Sequence, residues 1–225
     1  MIRLAIETST MTQSVAVEVE GQIVSERLSR RKAGHSSSLL ASVEGALEDV
    51  GLSIHDVQAL VCGLGPGSFT GVRVGLSFAL GVAAGLGIPV YGVDSFRAFL
   101  PYIAAGTPVA VALDARKAEV YGVIYDNGRR TNTLLAPGTF APEDFFQEAA
   151  KHAAEGLVVV GNGPDAFPEA WAPFGERLTR IARLDVPLAA GLFDAHDAGF
   201  SVSSQQETLE PRYIRPSDAE KSRGA

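Results

Sequence analysis

Leu4-Ala5-Ile6-Glu7-Thr8-Ser9-Thr10, near the start of the chain, has a counterpart in Val109-Ala110-Val111-Ala112-Leu113-Asp114-Ala115-Arg116-Lys117 near its middle. Each is an apolar run that stops at a carboxylate and passes into a polar loop. After the first, Val15, Val17 and Val19 alternate as in a half-buried strand, and Gly21 turns the chain into a third strand with Ile23 and Val24. After the second, Val120 to Tyr125 alternate in the same way and Asn127-Gly128 is a strong hairpin signal. The spacing from Glu7 to Gly21 equals that from Asp114 to Gly128. A second echo follows in the same order: Val61-Cys62-Gly63-Leu64-Gly65-Pro66 and Val159-Val160-Gly161-Asn162-Gly163-Pro164 each run an apolar strand into Gly-x-Gly-Pro. Any mixed α/β chain makes hairpins and Gly-Pro turns, but two matches in one order point to an internal duplication.

Working outward, helices fill the gaps. Ser36-Ser37-Ser38, with His35 beside it, can cap a helix carrying Leu39, Leu40, Val43, Leu47 and Val50 and stopped by Gly51. A second helix is expected over about Gly71–Leu86. A third starts at Asp94-Ser95 with Phe96, Phe99, Leu100 and Ile103 inward, and a fourth opens at Ala141-Pro142-Glu143-Asp144. The break between the halves falls near Pro101–Pro108, giving lobes 1–105 and 106–225. The 225 residues suffice for two lobes of about a hundred residues each. Apolar residues make up 46% of the chain, enough for a core in each lobe. The net charge of −7 argues against a free-standing nucleic-acid binder. Cys62, the single cysteine, sits in an apolar run and reads as a buried, inert thiol. Neither a basic leader nor an uninterrupted membrane-length run is expected, which predicts a cytoplasmic protein with no membrane contact.

Gly63-Leu64-Gly65-Pro66-Gly67-Ser68-Phe69-Thr70-Gly71-Val72-Arg73 joins a strand to a helix. Glycines permit tight backbone and a helix start leaves amides unpaired, so Gly65, Gly67, Ser68, Thr70, Gly71 and Arg73 form a candidate anion or nucleotide loop. The Gly-Lys-Ser/Thr ending of a P-loop is missing, and a purely structural turn stands as an equal alternative. In the helix that follows, Gly71, Gly75, Ser77, Ala79, Gly81, Ala83, Ala84 and Gly85 leave much of the surface bare. So many glycines are costly in a helix unless another backbone comes close, either from the chain's own sheet or from a partner. The histidines (His35, His55, His152, His196) show no metal-ligand spacing, and no Gly-x-Ser-x-Gly elbow surrounds Ser68.

The segment Gly65-Pro66-Gly67-Ser68-Phe69-Thr70-Gly71-Val72-Arg73 after Leu4-Ala5-Ile6-Glu7-Thr8-Ser9 resembles the TsaB/YeaZ family. So do Ile88-Pro89-Val90-Tyr91-Gly92-Val93, Leu113-Asp114-Ala115-Arg116-Lys117-Ala118-Glu119-Val120-Tyr121 and Pro211-Arg212-Tyr213-Ile214-Arg215. Glu7 stands where that family usually has aspartate, and Leu192–Gln206 is more polar than its usual helix. The resemblance implies an α/β, two-lobed actin-like ATPase (ASKHA, ribonuclease H-like) fold with mixed sheets flanked by helices. It implies a non-catalytic subunit of the machinery that makes N6-threonylcarbamoyladenosine in tRNA, paired with the catalytic paralogue TsaD and joined by the ATPase TsaE. It also implies a homodimer when alone, tRNA contact only through the complex, and a pairing surface on the two helices of the first lobe. Leu39, Val43, Leu47, Gly75, Ala79 and Val82 are the expected interface residues.

Phosphate-cleaving members of that superfamily clasp a nucleotide with two glycine-bearing hairpin loops. Here Glu7-Thr8-Ser9-Thr10 and Asp114-Ala115-Arg116-Lys117 contain no glycine. No cofactor of its own is therefore expected, beyond a weak adenine-nucleotide site at the complex interface. Glu7 and Asp114 read as strand-end carboxylates rather than an acid/base pair. The rival reading is a stand-alone enzyme, either a small-molecule kinase of the same superfamily or a glycoprotease-like hydrolase. It requires a metal site or an intact clamp.

Overall fold

Ile2–Glu7 (β1) and Thr12–Val19 (β2) pair antiparallel from Ile2 opposite Val19 to Glu7 opposite Ser14, and Gln22–Arg30 (β3) extends the meander as an exposed edge. The structure, a computed structural model, describes residues 1–30, 36–126, 132–204 and 208–215. Ser36–Glu48 (α1) leads to Ala59–Gly63 (β4), parallel to β1. Phe69–Leu86 (α2) leads to Val90–Val93 (β5), parallel to β4. The second unit repeats this plan. Val109–Asp114 (β6), Val120–Tyr125 (β7) and Thr133–Phe140 (β8) form the meander, and Pro142–Ala150 (α3) precedes Val158–Val160 (β9), parallel to β6. Two short helices, Gly163–Ala166 (α4) and Pro168–Trp171 (α5), precede Thr179–Arg180 (β10), and Ala189–Asp197 (α6) precedes Ser201–Ser203 (β11). The sheet orders are β11-β5-β4-β1-β2-β3 and β10-β9-β6-β7-β8, so the duplicated pattern is a duplicated strand order. The Asn127-Gly128 turn, His35 and residues 205 and 206 lie outside the described residues.

Strand alternation decides what covers each face of the first sheet. Leu4, Ile6, Val15, Val17, Leu60 and Cys62 point to the side covered by α1 and α2, where Leu39, Val43, Leu47, Leu76 and Ala79 meet them. Ala5, Ala16, Val61 and Val93 point the other way and are covered by α6 through Leu192 and Phe193. The small side chains on that face let α6 come close: a Cβ built on Gly191 would run into the Ala98 carbonyl. This corrects the boundary at 105/106. Contacts group Met1–Ala98 with Pro187–Tyr213, and Phe99–Val186 with Ile214 and Arg215. Without α6 one apolar face of the first sheet would be bare, and sequence order gives no hint of that return. The polar stretch after Leu192 is the end of α6 and the edge strand β11.

In the second unit Phe145 and Phe146 are fully buried against Phe140 and Trp171, with ring centroids 5.2 to 5.9 Å apart. The Phe145 ring packs against Gly122, where a Cβ would collide with it. The helix expected at Asp94-Ser95 is a 3-10 segment, Ser95–Tyr102, whose Phe96 amide donates to Asp94 Oδ1 at 2.9 Å. The expectation that no membrane-length apolar run exists also needs correction. α2 is long and apolar enough by composition, and here it lies on the sheet through Val72, Leu76, Ala79 and Ala83.

Candidate functional site

The glycine-rich loop is built on the end of β4. Gly65 takes a left-handed conformation (φ +86°) that favours glycine. Its amide donates to Ser95 Oγ at 3.0 Å, and the Ser95 amide returns a bond to the Gly65 carbonyl at 2.8 Å. The Ser68 amide donates to the Ser9 carbonyl at 2.6 Å, while Ser68 Oγ accepts from the Gly71 amide at 3.2 Å and caps α2. The Thr8 hydroxyl donates to the Gly71 carbonyl at 2.8 Å. A Cβ on Gly67 would strike the Ser9 carbonyl, and one on Gly75 would strike the Thr8 hydroxyl. These glycines therefore seat the β1–β2 loop on the start of α2.

That geometry bears on the anion loop. Gly65 and Gly71 are buried, Gly67 and Ser68 half-buried, and Thr70 and Arg73 exposed. The structure brings all six together. However, the amides of Gly65, Ser68 and Gly71 already donate within the protein, so an anion there would have to displace the Ser9 carbonyl or the Ser68 cap. Arg73 is also engaged, its Nε donating to Tyr213 Oη at 2.7 Å.

Glu7 and Asp114 differ sharply despite their matching positions. Glu7 is fully buried and accepts from the Ser9 amide through Oε1 at 2.6 Å. Its Oε2 lies against Gly63 and beside the Ser95 hydroxyl, without the geometry of a full hydrogen bond. Burial pushes the Glu7 carboxyl above its ordinary value of 4.5, and the hydrogen bonds from Ser95, Ser9 and Thr8 only partly offset this. Asp114 is exposed and accepts from the Arg116 amide at 2.7 Å, in a hairpin where Arg116, Lys117 and Ala118 all have left-handed φ of 54° to 58°. Burial and the nearby Glu7 push the Cys62 thiol up, which leaves it inert. Among the described residues, no three His, Cys, Asp or Glu side chains are grouped to hold a metal.

The raised pKa of Glu7 carries a pH signature. An acid harder to ionise in the folded state costs no stability while both states are protonated. It costs progressively more as pH climbs from about 4.5 to its folded value. Glu7→Gln should therefore match the natural protein in urea unfolding at pH 4 and exceed it in stability at pH 8. Parallel pH profiles for the two proteins would rule out a carboxyl whose pKa is raised by burial at this position.

The expected interface residues need correction. Leu39, Val43, Leu47, Gly75 and Ala79 are buried against the chain's own sheet, and Val82 is half-buried. The outward positions are Leu40, Ala41, Glu44 and Glu48 on α1, and Thr70, Arg73, Ser77, Leu80, Gly81, Ala84 and Gly85 on α2. Leu40 is 52% and Leu80 36% exposed. A Cβ on Gly81 or Gly85 would meet nothing within 4 Å. The sheet explains Gly75 and leaves these two unexplained. The sequence signal was the glycine content of the helix; which glycines face outward could be read only from the sheet beneath it.

Comparison with known proteins places this surface in context. The TsaD family model, described as tRNA N6-adenosine threonylcarbamoyltransferase, matches residues 7–167. The tRNA threonylcarbamoyladenosine biosynthesis protein TsaB of Escherichia coli is 33% identical, with 94% of each chain covered. The chain belongs to the TsaB/YeaZ family. The solved YeaZ from Pseudomonas aeruginosa superposes on this family member with a TM-score of 0.73 at 28% identity, covering 94% of this chain and 99% of that one. An uncharacterised relative from Mycobacterium tuberculosis is 34% identical, with 96% of this chain and 92% of that one covered. The activator of 2-hydroxyisocaproyl-CoA dehydratase from Clostridium difficile, at 13% identity and a TM-score of 0.52, shares the fold. The actin-like α/β fold that the TsaB/YeaZ resemblance implied, and with which the duplication agrees, is thus the one observed.

Proposed function

We propose that this TsaB/YeaZ family member is a non-catalytic, cytoplasmic subunit in the biosynthesis of tRNA threonylcarbamoyladenosine. It pairs with a TsaD-type catalytic paralogue, with TsaE joining the pair, and pairs with itself when alone. The tRNA is reached through the complex, and any adenine nucleotide binds weakly at the complex interface rather than in a clamp of this chain.

The observation that carries the reading is Gly81 and Gly85, two glycines on the outward face of a long helix with open space where a Cβ would stand. Gly81 costs about 1 kcal/mol relative to alanine in an exposed helix interior, and Gly85, in the last turn of α2, costs less. Inside the subunit no close approach offsets that cost; a second backbone laid along the stripe would. The relatives named for the threonylcarbamoyl pathway, together with the match to a TsaD family model, support a TsaD-type partner.

Gly81→Arg and Gly85→Arg are expected to abolish pairing with the cognate TsaD-type subunit in sedimentation velocity. The isolated chain should keep its melting temperature or gain slightly, because arginine is the better helix former. A normal heterodimer from both variants would sink the proposal. Reconstituted tRNA modification with the same variants provides a second readout, since loss of the pair should remove the activity.

A further inference from the structure

The C-terminal segment returns to the first unit and crosses the start of α2. Leu209 is buried in the core cluster beneath α1 and α2. The Arg212 amide donates to the Leu64 carbonyl at 2.7 Å, and its guanidinium reaches the buried Asp94 carboxylate at 3.4 Å. Those contacts already fix the strap. Tyr213 adds something different, for it stacks on Phe69 with ring centroids 4.9 Å apart while both rings stay more than a third exposed. The Arg73 guanidinium lies 3.7 Å over the Phe69 ring and 5.6 Å from that of Tyr213, with Nε committed to the Tyr213 hydroxyl.

Arg73 is thus held flat and pre-oriented, and among the described residues its two Nη atoms meet no acceptor. A guanidinium fixed along one edge and open along its terminal edge is a fork for a carboxylate. Phe69, Arg73, Ser77, Leu80 and Ala84 follow one another on the outward face of α2, so the fork continues the stripe that contains Gly81. Aromatic and arginine side chains in a rigid exposed cluster have the composition of an interface anchor. The fork is also a cation on a chain of net charge −7, facing outward beside a helix whose outward residues include Glu44 and Glu48.

We propose that Phe69, Arg73 and Tyr213 form an anchor at one end of the docking face, receiving an Asp or Glu side chain of the TsaD-type subunit at the open terminal edge of the Arg73 guanidinium. Tyr213 is the positioning residue that holds Arg73 in register. The inference rests on the pairing reading above and adds the partner's chemistry at this end of the face.

The test measures the dissociation constant of the full-length chain with its cognate TsaD-type subunit at low and high salt. Arg73→Gln is expected to weaken pairing by about 10-fold or more at low salt and to flatten the salt dependence. Arg73→Lys, which keeps the charge and loses the fork, should lose nearly as much. Tyr213→Ala should weaken pairing by about 10-fold and Tyr213→Phe, which keeps the stack, by about 3-fold, with the melting temperature of the isolated chain unmoved. If Gly85→Arg abolishes pairing while Arg73→Gln and Tyr213→Ala pair normally, the anchor is wrong and the docking face stands. Normal pairing by Gly85→Arg would instead remove the face itself. Pyrophosphate binding by the isolated chain that disappears in Arg73→Gln, with pairing unchanged, would assign the fork to phosphate and overturn the proposal.

Discussion

Arg3→Ala is expected to destabilise the protein by about 3–5 kcal/mol in urea unfolding at neutral pH, the range for breaking a buried ion pair from one side. Arg3 Nε and Nη2 each donate to the Glu18 carboxylate at 2.7 Å, while Nη1 and Nη2 donate to Asp197 at 2.5 and 2.8 Å. Arg3 and Glu18 are 4% and 5% exposed, so truncation strands a carboxylate almost out of water. The bridge runs from β1 and β2 to the last turn of α6, with the Phe193 ring 5.0 Å from the guanidinium. The same variant should therefore loosen α6, visible as faster amide exchange over Ala189–Asp197. The double variant Arg3→Met, Glu18→Leu should recover much of the loss, since removing both buried charges leaves only Asp197 without its partner, and that half-exposed carboxylate is solvated by water. A single-variant loss below about 1 kcal/mol would mean that water reaches Glu18.

Gly75→Leu should be nearly as damaging, by about 3 kcal/mol or more, whereas Gly85→Leu should leave the isolated chain as stable or up to about 1 kcal/mol more stable. The two positions lie on one helix ten residues apart in number and differ only in what they face. Gly75 abuts the Thr8 hydroxyl and Ile6, and Gly85 abuts nothing. Thermal unfolding of the isolated chain separates them, and the pairing assay reverses the order of interest, since only the Gly85 variant stays folded and fails to pair. Equal tolerance at both sites would contradict the seating of the β1–β2 loop on α2.

The fold was largely legible because it is a repeat of local patterns. Alternation at Val15, Val17 and Val19, the carboxylate at each first-strand end, and the Gly-x-Gly-Pro at the ends of β4 and β9 are short-range signals. Each half of the chain carries its own copy, and the two sheets repeat them in the same strand order. Helices α1 and α2 are also legible almost to the residue, with α2 starting at Phe69 rather than Gly71 because Ser68 caps it. The candidate site was less legible. Leu39, Val43 and Leu47 have the apolar spacing of any amphipathic helix, and that spacing cannot say whether the apolar stripe meets a sheet or a partner. Burial answers that they meet the sheet. Tyr213 lies in the family-like segment Pro211-Arg212-Tyr213-Ile214-Arg215, but its stack on Phe69 joins residues far apart in the chain, beyond any periodicity.

By itself the sequence determined that there are two copies of one strand–hairpin–helix plan, that neither hairpin loop has the glycine a phosphate clamp needs, and that one helix is unusually bare. Local backbone preference and side-chain period suffice for those. Tertiary structure alone decided that α6 turns back to cover the first sheet, that Gly75 is spoken for while Gly81 and Gly85 are open, and that Arg73 is clamped by Tyr213. Each of these depends on which surfaces meet after long-range closure, and contact between distant segments leaves no period in the chain to read.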